Sequence, residues 1–482
     1  MEPASSSPDL KSRIEDHALT AVPTSERRSG WGLMTNTAGI ASTLVQLAIG
    51  GGVTLIAGVG YGILAGVVVA VFGGIVGWMV GQIAYVSGTS STVTSRYYGL
   101  GVRGSALASL IFAFMILGFL ALENALLYYG TLFMFGWKPS LGNAVLIYGV
   151  LTVVWIVLTT FGLKLVQRTS TVLLVAFTVL TVVLAVLALR GSGSSVGELL
   201  SAGPVVPGYG GGAHRFAVAL SILAGSAGAL ALVDADYARY ARSSRDVGIL
   251  AVGGALMIDV VVVVLGTIVI HAGAVTVQNY LRDHPGVAAT QGGDTTADKV
   301  LWMADNNSGA FFIVLAGFIG FALMYAAQIK AQVLNSYSGS LALSNLSNSL
   351  SGRHVGRFAM IVVGNLIGLL MIAGNILGLI AGYLGILGIT TTALAGVMIA
   401  DYFIVRRCRP AAQDRVEAVN WSGVSSLVVA SAAGELVVTL DWTQLGFLVA
   451  LVVALILYPL LRLTALPERG SAIDPAAALA ES

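Results

Sequence analysis

The chain has 482 residues, of which 56% are hydrophobic and only 10% charged, and its mean hydropathy is +0.88. This composition offers too little polar surface for a water-soluble protein of this length, so most of the chain must be solvated by lipid. A single cysteine excludes a disulfide framework and a cysteine-based metal centre, and the net charge of +2 does not indicate a nucleic-acid partner. We predict no metal and no cofactor.

Apolar segments long enough to cross a bilayer follow a polar N-terminal tail, 1–33, which lacks the pattern of a cleaved signal peptide. A transmembrane helix needs about 20 mostly apolar residues, because each residue adds about 1.5 Å and lipid cannot hydrogen-bond free backbone groups. The sequence therefore predicts an all-α integral membrane protein. About twelve transmembrane helices are expected, near 36–58, 61–86, 105–134, 143–162, 169–190, 214–237, 247–271, 309–334, 357–377, 379–404, 421–440 and 443–464.

Positively charged residues concentrate in alternate loops. One set of loops contains Arg96, Arg103, Lys164, Arg168, Arg239, Arg242, Arg245, Arg353, Arg357, Arg406, Arg407 and Arg409, whereas the opposite loops contain few cations. Because cytoplasmic loops are enriched in lysine and arginine, we predict a multi-pass plasma-membrane protein with both termini in the cytoplasm. Residues 466–482 are then a cytoplasmic tail, and the polar loop 272–307 is predicted to form a small external cap.

Small residues occur in the middle of the first and sixth spans, at 50–52 and 225–228. One interpretation is close helix packing. The other is that Gly225, Ser226 and the glycines of the first span mark unwound segments, whose free backbone groups bind substrate or ion. These two spans open segments of similar size, about 34–190 and 213–405, which fits two inverted repeats of five helices. The helices within 406–465 are then two additions to a transporter core, 34–405.

Ionisable residues at membrane depth are functional candidates because burying a charge in lipid is costly. Glu123 and Asn124 lie deep in the third span, and Phe119 lies one turn earlier on the same face. Glu123 is predicted to bind N–H groups of a planar heterocycle or to carry a coupling proton, and a neutral structural acid is the alternative. Asp259 in the seventh span and Lys330 in the eighth are further candidates for coupling.

Three amide side chains of the eighth span, Gln328, Gln332 and Asn335, fall at positions i, i+4 and i+7 and therefore share one helix face. Amides supply both donors and acceptors, as the edge of a purine or pyrimidine requires. The alternative is a polar seam between helices. At the end of the sixth span, Asp236 and Arg239 are predicted to latch an inner gate, although ordinary interfacial anchoring would select the same residues.

Several short motifs occur in an order that resembles one known family. They are the leader motifs in 13–31, Tyr-Tyr-Gly-Leu-Gly-Val-Arg-Gly-Ser at 97–105, Ala-Asp-Tyr-Ala-Arg-Tyr at 235–240, Asn-Ser-Tyr-Ser at 335–338 and Ala-Asp-Tyr-Phe-Ile-Val-Arg-Arg at 400–407. Together they resemble the nucleobase–cation symporter family 1, the purine–cytosine permeases, through most of the chain.

The resemblance implies a LeuT-like core of five plus five inverted-repeat helices, with two added C-terminal helices, that works by alternating access and is driven by a proton or sodium ion. It also implies that Phe119 takes the aromatic position of the substrate site, Glu123 the edge-reading position, and Gln332 the amide position of the eighth helix. The sequence departs from the family in two places. The sixth span has no tryptophan between 221 and 232, so a two-ring sandwich is in doubt.

The second departure is in the eighth span, where Leu323, Ala326 and Ala327 stand where hydroxyl ligands for sodium are expected. Sodium is a hard cation and needs oxygen ligands, so proton coupling is favoured. We therefore predict import of a nucleobase of the cytosine/purine class by cation symport. The alternatives are a ureide such as allantoin or hydantoin, a vitamin precursor or a cationic amine on the same fold, and, as a separate class, a membrane enzyme or channel, for which no signature motif is present.

Overall fold

The computed structural model describes residue 17 and residues 19–161, 163–353, 355–413, 415–468 and 472–473. Residues 1–16 and 18 of the predicted N-terminal tail, and most of the predicted tail 466–482, lie outside the described residues. The described part is helical, apart from a two-stranded antiparallel ladder in which Arg415–Val416 pairs with Ala472–Ile473.

Fourteen helices of ten or more residues make up the described bundle. They are α1 (Gly30–Ala41), α2 (Leu44–Ala57), α3 (Val59–Ser87), α4 (Ser105–Phe135), α5 (Leu141–Phe161), α6 (Leu163–Ser192), α7 (Gly212–Ala238), α8 (Ser244–Asp283), α9 (Thr296–Asn306), α10 (Gly309–Ser351), α11 (Arg357–Ala373), α12 (Ile380–Ile399), α13 (Trp421–Thr439) and α14 (Gly446–Leu460). Short helical segments connect them at Thr24–Glu26, Ser91–Ser95, Val196–Leu200, Pro285–Ala288 and Ile376–Leu379. Wider π-helical turns occur at Arg96–Leu100, Met257–Val261, Ile268–Ala272, Ala400–Val405 and Leu461–Ala465.

Ten of the described helices are long and apolar enough to cross a membrane, and the count is eleven if the bent pair α1 and α2 forms one span. The ten are α3 to α8, α10, α12, α13 and α14. Helix α11 is apolar but has only 17 residues. Each of the twelve predicted segments thus contains a helix, which confirms the all-α membrane fold, while the number of complete spans stays a prediction.

The first span is broken at Ser42 and Thr43, where α1 and α2 meet at an angle of 71°. The Thr43 hydroxyl accepts a hydrogen bond from the Gln46 amide at 3.3 Å and so caps α2. The glycines at 50–52, which the sequence analysis considered for this break, lie inside α2. A Cβ at Gly50 would lie 2.7 Å from the Val263 Cα of α8, so this glycine permits close packing.

The sixth span does not unwind, contrary to the sharper of the two sequence interpretations. Gly225 and Ser226 lie inside α7, which is helical from Gly212 to Ala238. A Cβ at Gly225 would overlap the carbonyl oxygen of Leu384 on α12. The glycine is therefore explained by close helix packing, the alternative that the sequence left open.

Two helices are longer than their apolar segments indicate. Helix α8 continues to Asp283 and takes up the first part of the predicted loop 272–307, and α9 occupies much of the remainder. Helix α10 continues to Ser351 and is kinked at Gly317, where φ is 58° and ψ is −133°. The segment 272–307 is thus mostly helical, and its predicted external position stays a prediction.

Packing in the centre places α7 against α3 and α12, and α10 against α4. Glycines on one face of α3 allow this approach, since a Cβ at Gly73 would lie 3.0 Å from the Ala227 Cβ of α7. Helix α10 also contacts α1 and α2, and α2 contacts α4, so the broken first span lies beside both α4 and α10.

Candidate functional site

A small cavity lies where α2, α4, α7, α8 and α10 meet, and we call it the central cavity. It is lined by Gln46, Met115, Ile116, Phe119, Glu123, Ser226, Ala229, Leu230, Val233, Ile258 and Asn335. Four residues that the sequence analysis assigned to the substrate site, Phe119, Glu123, Ser226 and Asn335, are among them. They come from three different helices, and no local pattern could have shown that they meet.

Glu123 supplies the carboxyl group of the central cavity. Its side chain is buried, with 2% exposure, and Asn335 Nδ2 donates a hydrogen bond to Glu123 Oε2 at 3.4 Å. The Thr43 hydroxyl also hydrogen-bonds the Glu123 side chain. The carboxylate is therefore linked both to α10 and to the break in the first span, two elements that a ligand in the cavity would contact.

A second polar pair forms another wall of the central cavity. Ser226 Oγ donates to Gln46 Oε1 at 2.7 Å, which joins α7 to α2. Gln46 was missed by the sequence analysis. The sequence feature that could have identified Gln46 is an amide side chain three residues after the capping Thr43, in a helix that is otherwise almost entirely apolar. The cavity thus offers a carboxylate, two amides and a hydroxyl on a background of apolar side chains.

Phe119 supplies an aromatic ring to the central cavity, and its partner ring comes from α12. The Tyr383 ring lies edge-on to Phe119, with centroids 5.9 Å apart and an interplanar angle of 77°. The Tyr383 hydroxyl donates to the Met115 carbonyl oxygen of α4, which fixes the tyrosine against that helix. The sequence analysis looked for a second aromatic residue on the sixth span and therefore missed Tyr383.

Asn124 and Gln332 lie outside the cavity lining and hydrogen-bond to each other. Gln332 Nε2 donates to Asn124 Oδ1 at 2.8 Å and to the Leu120 carbonyl at 3.1 Å, and Trp155 Nε1 also donates to Asn124 Oδ1, at 2.8 Å. This seam joins α4, α5 and α10. It is the arrangement expected of interhelical polar packing, and it fixes the helix turn that carries Glu123.

Gln328 and Gly225, which were also assigned to the substrate site, do not line the central cavity. Gln328 is fully buried, and neither polar atom of its amide has a hydrogen-bond partner among the described residues. Gly225 faces the backbone of α12 at Leu384. Their contact with a substrate stays a prediction.

Lys330 lies next to the broken first span. Its Nζ donates to the Thr35 carbonyl oxygen of α1 at 3.1 Å. The amine fills the space above Gly39, where an added Cβ would overlap it. Lys330 is buried and points away from the central cavity, as its position off the amide face predicts.

Asp259 lies in the π-helical turn Met257–Val261 of α8. It is fully buried, and neither carboxylate oxygen has a hydrogen-bond partner among the described residues. The side chain faces the glycine surface of α3, since a Cβ at Gly73 would lie 3.8 Å from Asp259 Oδ2. A buried, unpaired carboxylate is costly unless it binds a proton or a cation, so Asp259 remains a coupling candidate.

Asp236 and Arg239 are buried at the end of α7, where an inner gate was predicted. Asp236 Oδ1 accepts from the Ser91 amide at 2.8 Å, and Arg239 donates to the Tyr337 hydroxyl at 3.2 Å and to the His17 carbonyl at 2.9 Å. These bonds join α7 to the segment Ser91–Ser95, to α10 and to the chain before α1. The arrangement can hold three elements closed around one end of the bundle.

A second buried arginine lies near this cluster in the chain and was not assigned from the sequence. Arg96 Nε donates to Asn345 Oδ1 at 2.8 Å, and its Nη2 donates to Asn348 Oδ1 at 2.8 Å. Asn345 Nδ2 in turn donates to Ser109 Oγ at 2.7 Å. The far end of α10 is therefore fixed to α4 and to the turn that precedes it. The sequence feature that could have identified Arg96 is a single charged residue inside the otherwise uncharged segment 91–100.

Comparison with known proteins agrees with this geometry. Residues 21–458 match the protein family described as permeases for cytosine/purines, uracil, thiamine and allantoin. A hydantoin permease from Microbacterium maritypicum is 33% identical over 102 residues, which are 20% of this chain and 21% of that permease. The match thus spans about a fifth of the length of that relative.

Solved structures of Mhp1 share the fold. The inward-facing conformation superposes with a TM-score of 0.71 at 20% identity and covers 92% of this chain and 93% of the Mhp1 chain. The closed conformation with bromovinylhydantoin bound gives a TM-score of 0.69 at 20% identity and covers 93% and 95%.

A helical bundle with a broken first span and a polar cavity between its helices is the architecture of a membrane transporter, and the family and fold define a multi-pass transporter and not an enzyme. The chain belongs to the nucleobase–cation symporter family 1, the permeases for cytosine/purines, uracil, thiamine and allantoin, and it has the LeuT-like fold of Mhp1. The family and fold class predicted from the sequence are thereby confirmed.

Proposed function

We propose that this protein imports a nucleobase or a closely related planar heterocycle across the plasma membrane by symport with a cation, a proton rather than sodium. The observation that carries the proposal is the placement of the buried Glu123 carboxylate beside the Asn335 amide, in one cavity with the Phe119 ring. Alternating access between the two sides of the membrane follows from the LeuT-like fold.

These groups match the chemistry of a nucleobase. A carboxylate accepts hydrogen bonds from ring or exocyclic N–H groups, and an amide can donate to a ring carbonyl and accept from an N–H group. An aromatic ring can stack on the flat face of the heterocycle. Gln46 and Ser226 supply further polar groups on the facing wall. We assign substrate contact to Phe119, Glu123, Asn335, Ser226 and Gln46.

Coupling to a proton is supported by the side chains of α10 between 323 and 327. Leu323, Ala326 and Ala327 have no oxygen in their side chains, whereas sodium requires several oxygen ligands. The Lys330 amine hydrogen-bonds a carbonyl of α1 beside the break. We propose that Lys330, Asp259 and Glu123 are the groups through which the driving ion acts.

Asp236 and Arg239 are proposed as the inner gate, which requires their end of α7 to face the cytoplasm. The N-terminus is then cytoplasmic as well, because the chain before α1 hydrogen-bonds Arg239 through the His17 carbonyl. The twelve predicted spans are an even number, which puts the C-terminus on the same side. The concentration of arginines in the loops on that side supports this orientation.

A hydantoin or another ureide is the second candidate for the substrate. The hydantoin permease of Microbacterium maritypicum favours it, as does the bromovinylhydantoin bound to Mhp1. These rings also present N–H and C=O groups in one plane, so the same cavity residues would bind them. A vitamin precursor shares this chemistry, and a cationic amine would pair with Glu123 alone.

The test is ligand-induced thermal stabilisation of the purified protein. The panel contains cytosine, uracil, adenine, guanine, hypoxanthine, allantoin, hydantoins and small amines, each at two pH values with and without sodium. A ligand that binds only the folded state raises the melting temperature. We expect a shift with one of the ring compounds that depends on pH and not on sodium.

Two variants sharpen this test. Glu123→Gln should abolish the shift, while Glu435→Gln, an exposed glutamate of α13, should leave it unchanged. Shifts with small amines alone would overturn the heterocycle assignment. A shift that requires sodium would overturn proton coupling.

A further inference from the structure

A second and larger cavity opens on the outer surface of the bundle, separate from the central cavity. It has a volume of about 990 Å³ and lies between α1, α6 and α8, with Trp78 of α3 at one side. Seventeen residues line it, and we call it the lateral groove: Trp31, Met34, Ala38, Trp78, Leu174, Val175, Thr178, Val179, Ser244, Arg245, Gly248, Ile249, Val252, Gly253, Leu256, Met257 and Val261. None of these residues lines the substrate site.

The walls of the lateral groove are apolar and face outward. Val175 and Val179 of α6 are 56% and 55% exposed, and Val252 and Leu256 of α8 are 50% and 49% exposed. All four belong to helices that are long and apolar enough to cross a membrane. Their exposed surface is therefore in contact with lipid, and an acyl chain is the occupant that matches it.

One end of the groove is positively charged. Arg245 lines it, in the first turn of α8, and makes no hydrogen bond or ion pair with any described residue. Arg28 and Arg242 are exposed and lie near each other, since the Arg242 backbone amide donates to the Arg28 carbonyl at 3.2 Å. Each is three residues before a lining residue, Trp31 and Arg245 respectively, so two further cations lie close in the chain to the end of the groove that Arg245 lines.

Two tryptophans lie at the groove, Trp31 of α1 and Trp78 of α3, with 66% and 37% exposure. Tryptophan is enriched at the level of lipid headgroups, where its ring is partly apolar and its N–H can reach a polar partner. Trp31 lies three residues after Arg28. The charged mouth is therefore expected at the membrane–water interface, with the apolar groove continuing into the hydrocarbon.

We propose that the lateral groove binds an anionic phospholipid, with one acyl chain along α8 and the headgroup phosphate at Arg28, Arg242 and Arg245. The lining residues of α8 run from Ser244 to Val261, and 17 helical steps extend about 25 Å. One leaflet of a hydrocarbon core of about 30 Å is about 15 Å deep, so the groove accommodates a chain through a whole leaflet. Basic pockets between transmembrane helices bind anionic headgroups in this way.

The lipid would contact the part of the transporter that lies next to the break in the first span. Met34 and Ala38 of α1 form one wall of the groove, and Met34 packs directly on Gly253 of α8. The following residue, Gly39, faces the Lys330 amine. A bound lipid therefore packs on one face of α1 while Lys330 contacts the adjacent face, and transport should depend on anionic lipid.

The test uses tryptophan fluorescence of the full-length protein in liposomes. Phosphatidylglycerol or phosphatidylcholine with dibrominated acyl chains is added at increasing mole fraction, because bromine quenches only nearby indoles. We expect dibrominated phosphatidylglycerol to quench at a lower mole fraction than the phosphatidylcholine form. The excess quenching should disappear in the double variant Trp31→Phe/Trp78→Phe, which retains the other five tryptophans.

Charge is tested with a matched pair of exposed arginines. Arg245→Gln should reduce the preference for phosphatidylglycerol about fivefold, because each arginine near a membrane surface contributes about that factor in affinity. Arg353→Gln, an exposed arginine after α10 that does not line the groove, should not change it. Equal quenching by the two lipids in the unmodified protein, or excess quenching that persists without Trp31 and Trp78, would overturn the proposal.

Discussion

The Lys330 amine of α10 donates a hydrogen bond to the Thr35 carbonyl oxygen of α1 at 3.1 Å, across the seam between the eighth-span helix and the first half of the broken first span. The amine is held over Gly39, which has no side chain to displace it. This seam joins α10, which carries the proposed substrate contact Asn335, to the span that contains the break. The Lys330 amine is therefore placed where a change in its protonation could alter the position of α1.

The first prediction follows from the space above Gly39. Gly39→Ala should displace the Lys330 amine, which is the flexible end of its side chain, and should reproduce the effect of Lys330→Met. Both variants should still bind substrate but lose concentrative uptake by about 5- to 150-fold, the usual range of coupling between two sites. The measurement compares uptake with a pH gradient and ligand-induced thermal stabilisation.

Gly32→Ala is the matched control for this prediction. It lies in the same helix, and its Cβ would meet only the Ser29 hydroxyl at 3.7 Å, which is an ordinary contact. Unaltered gradient-driven uptake in Lys330→Met would show that the amine has only a packing role.

The second prediction concerns Glu123. Glu123→Gln keeps the shape of the side chain but replaces one accepting oxygen with an N–H donor. A substrate N–H group would then lose its acceptor, and an unsatisfied buried donor costs about 1–3 kcal/mol, so substrate affinity should fall by about tenfold or more at every pH. Isothermal titration with the ligand found in the stabilisation panel measures this. Full affinity combined with loss of the pH dependence would instead make Glu123 a coupling group without substrate contact.

A third prediction tests the inner gate. In a Cys408→Ser background, a cysteine at Ser90, which is buried, reports access to the gate. Asp236→Asn weakens the electrostatic attraction to Arg239 and should speed alkylation of that cysteine about tenfold, which corresponds to the loss of roughly 1.4 kcal/mol of a charge-assisted interaction. Asp441→Asn, an exposed residue after α13, is the control. Equal labelling rates in the two variants would remove Asp236 from the gate.

The fourth prediction concerns the close packing of α7 against α12. Gly225→Ala should lower the melting temperature, because its Cβ would overlap the Leu384 carbonyl and separate α7 from α12. Gly382→Ala of α12 has open space around the added Cβ and should be neutral or slightly stabilising. Equal melting temperatures for the two variants in the same detergent would contradict the close approach of these helices.

The membrane fold was predictable from the sequence because lipid imposes a length and a composition on every span. The location of the break in the first span was not predictable in the same way. The glycines at 50–52 were the residues from which a break was predicted, yet Gly50 is needed for close contact with α8. The break occurs instead at Ser42 and Thr43. A glycine in a membrane helix serves packing as often as flexibility, and only the neighbouring helix shows which applies.

The candidate substrate site was predictable in part for a related reason. Helical periodicity placed Gln332 and Asn335 on one face of α10, and in the structure both hydrogen-bond residues of α4. Periodicity shows which side chains share a face of the helix, but it does not show which of them reach a cavity. It therefore could not show that Asn335 lines the cavity while Gln332 lies in the polar seam between α4, α5 and α10. Gln46 and Tyr383 were missed because their contacts join parts of the chain that are far apart in the sequence.

Helix α10 has 43 residues and would measure about 64 Å if it were straight, roughly twice the thickness of a hydrocarbon core. Its one non-helical residue, Gly317, precedes all of its polar contacts. One uninterrupted helical segment therefore carries Lys330 at the broken span, Asn335 at the cavity and Asn345 at the buried Arg96. The first and the last of these residues are about 22 Å apart along the helix. A rotation of that helix by a few degrees would move all three contacts together, so the proposed coupling contact, the proposed substrate contact and the Arg96 contact can change at the same time without any relay of side chains.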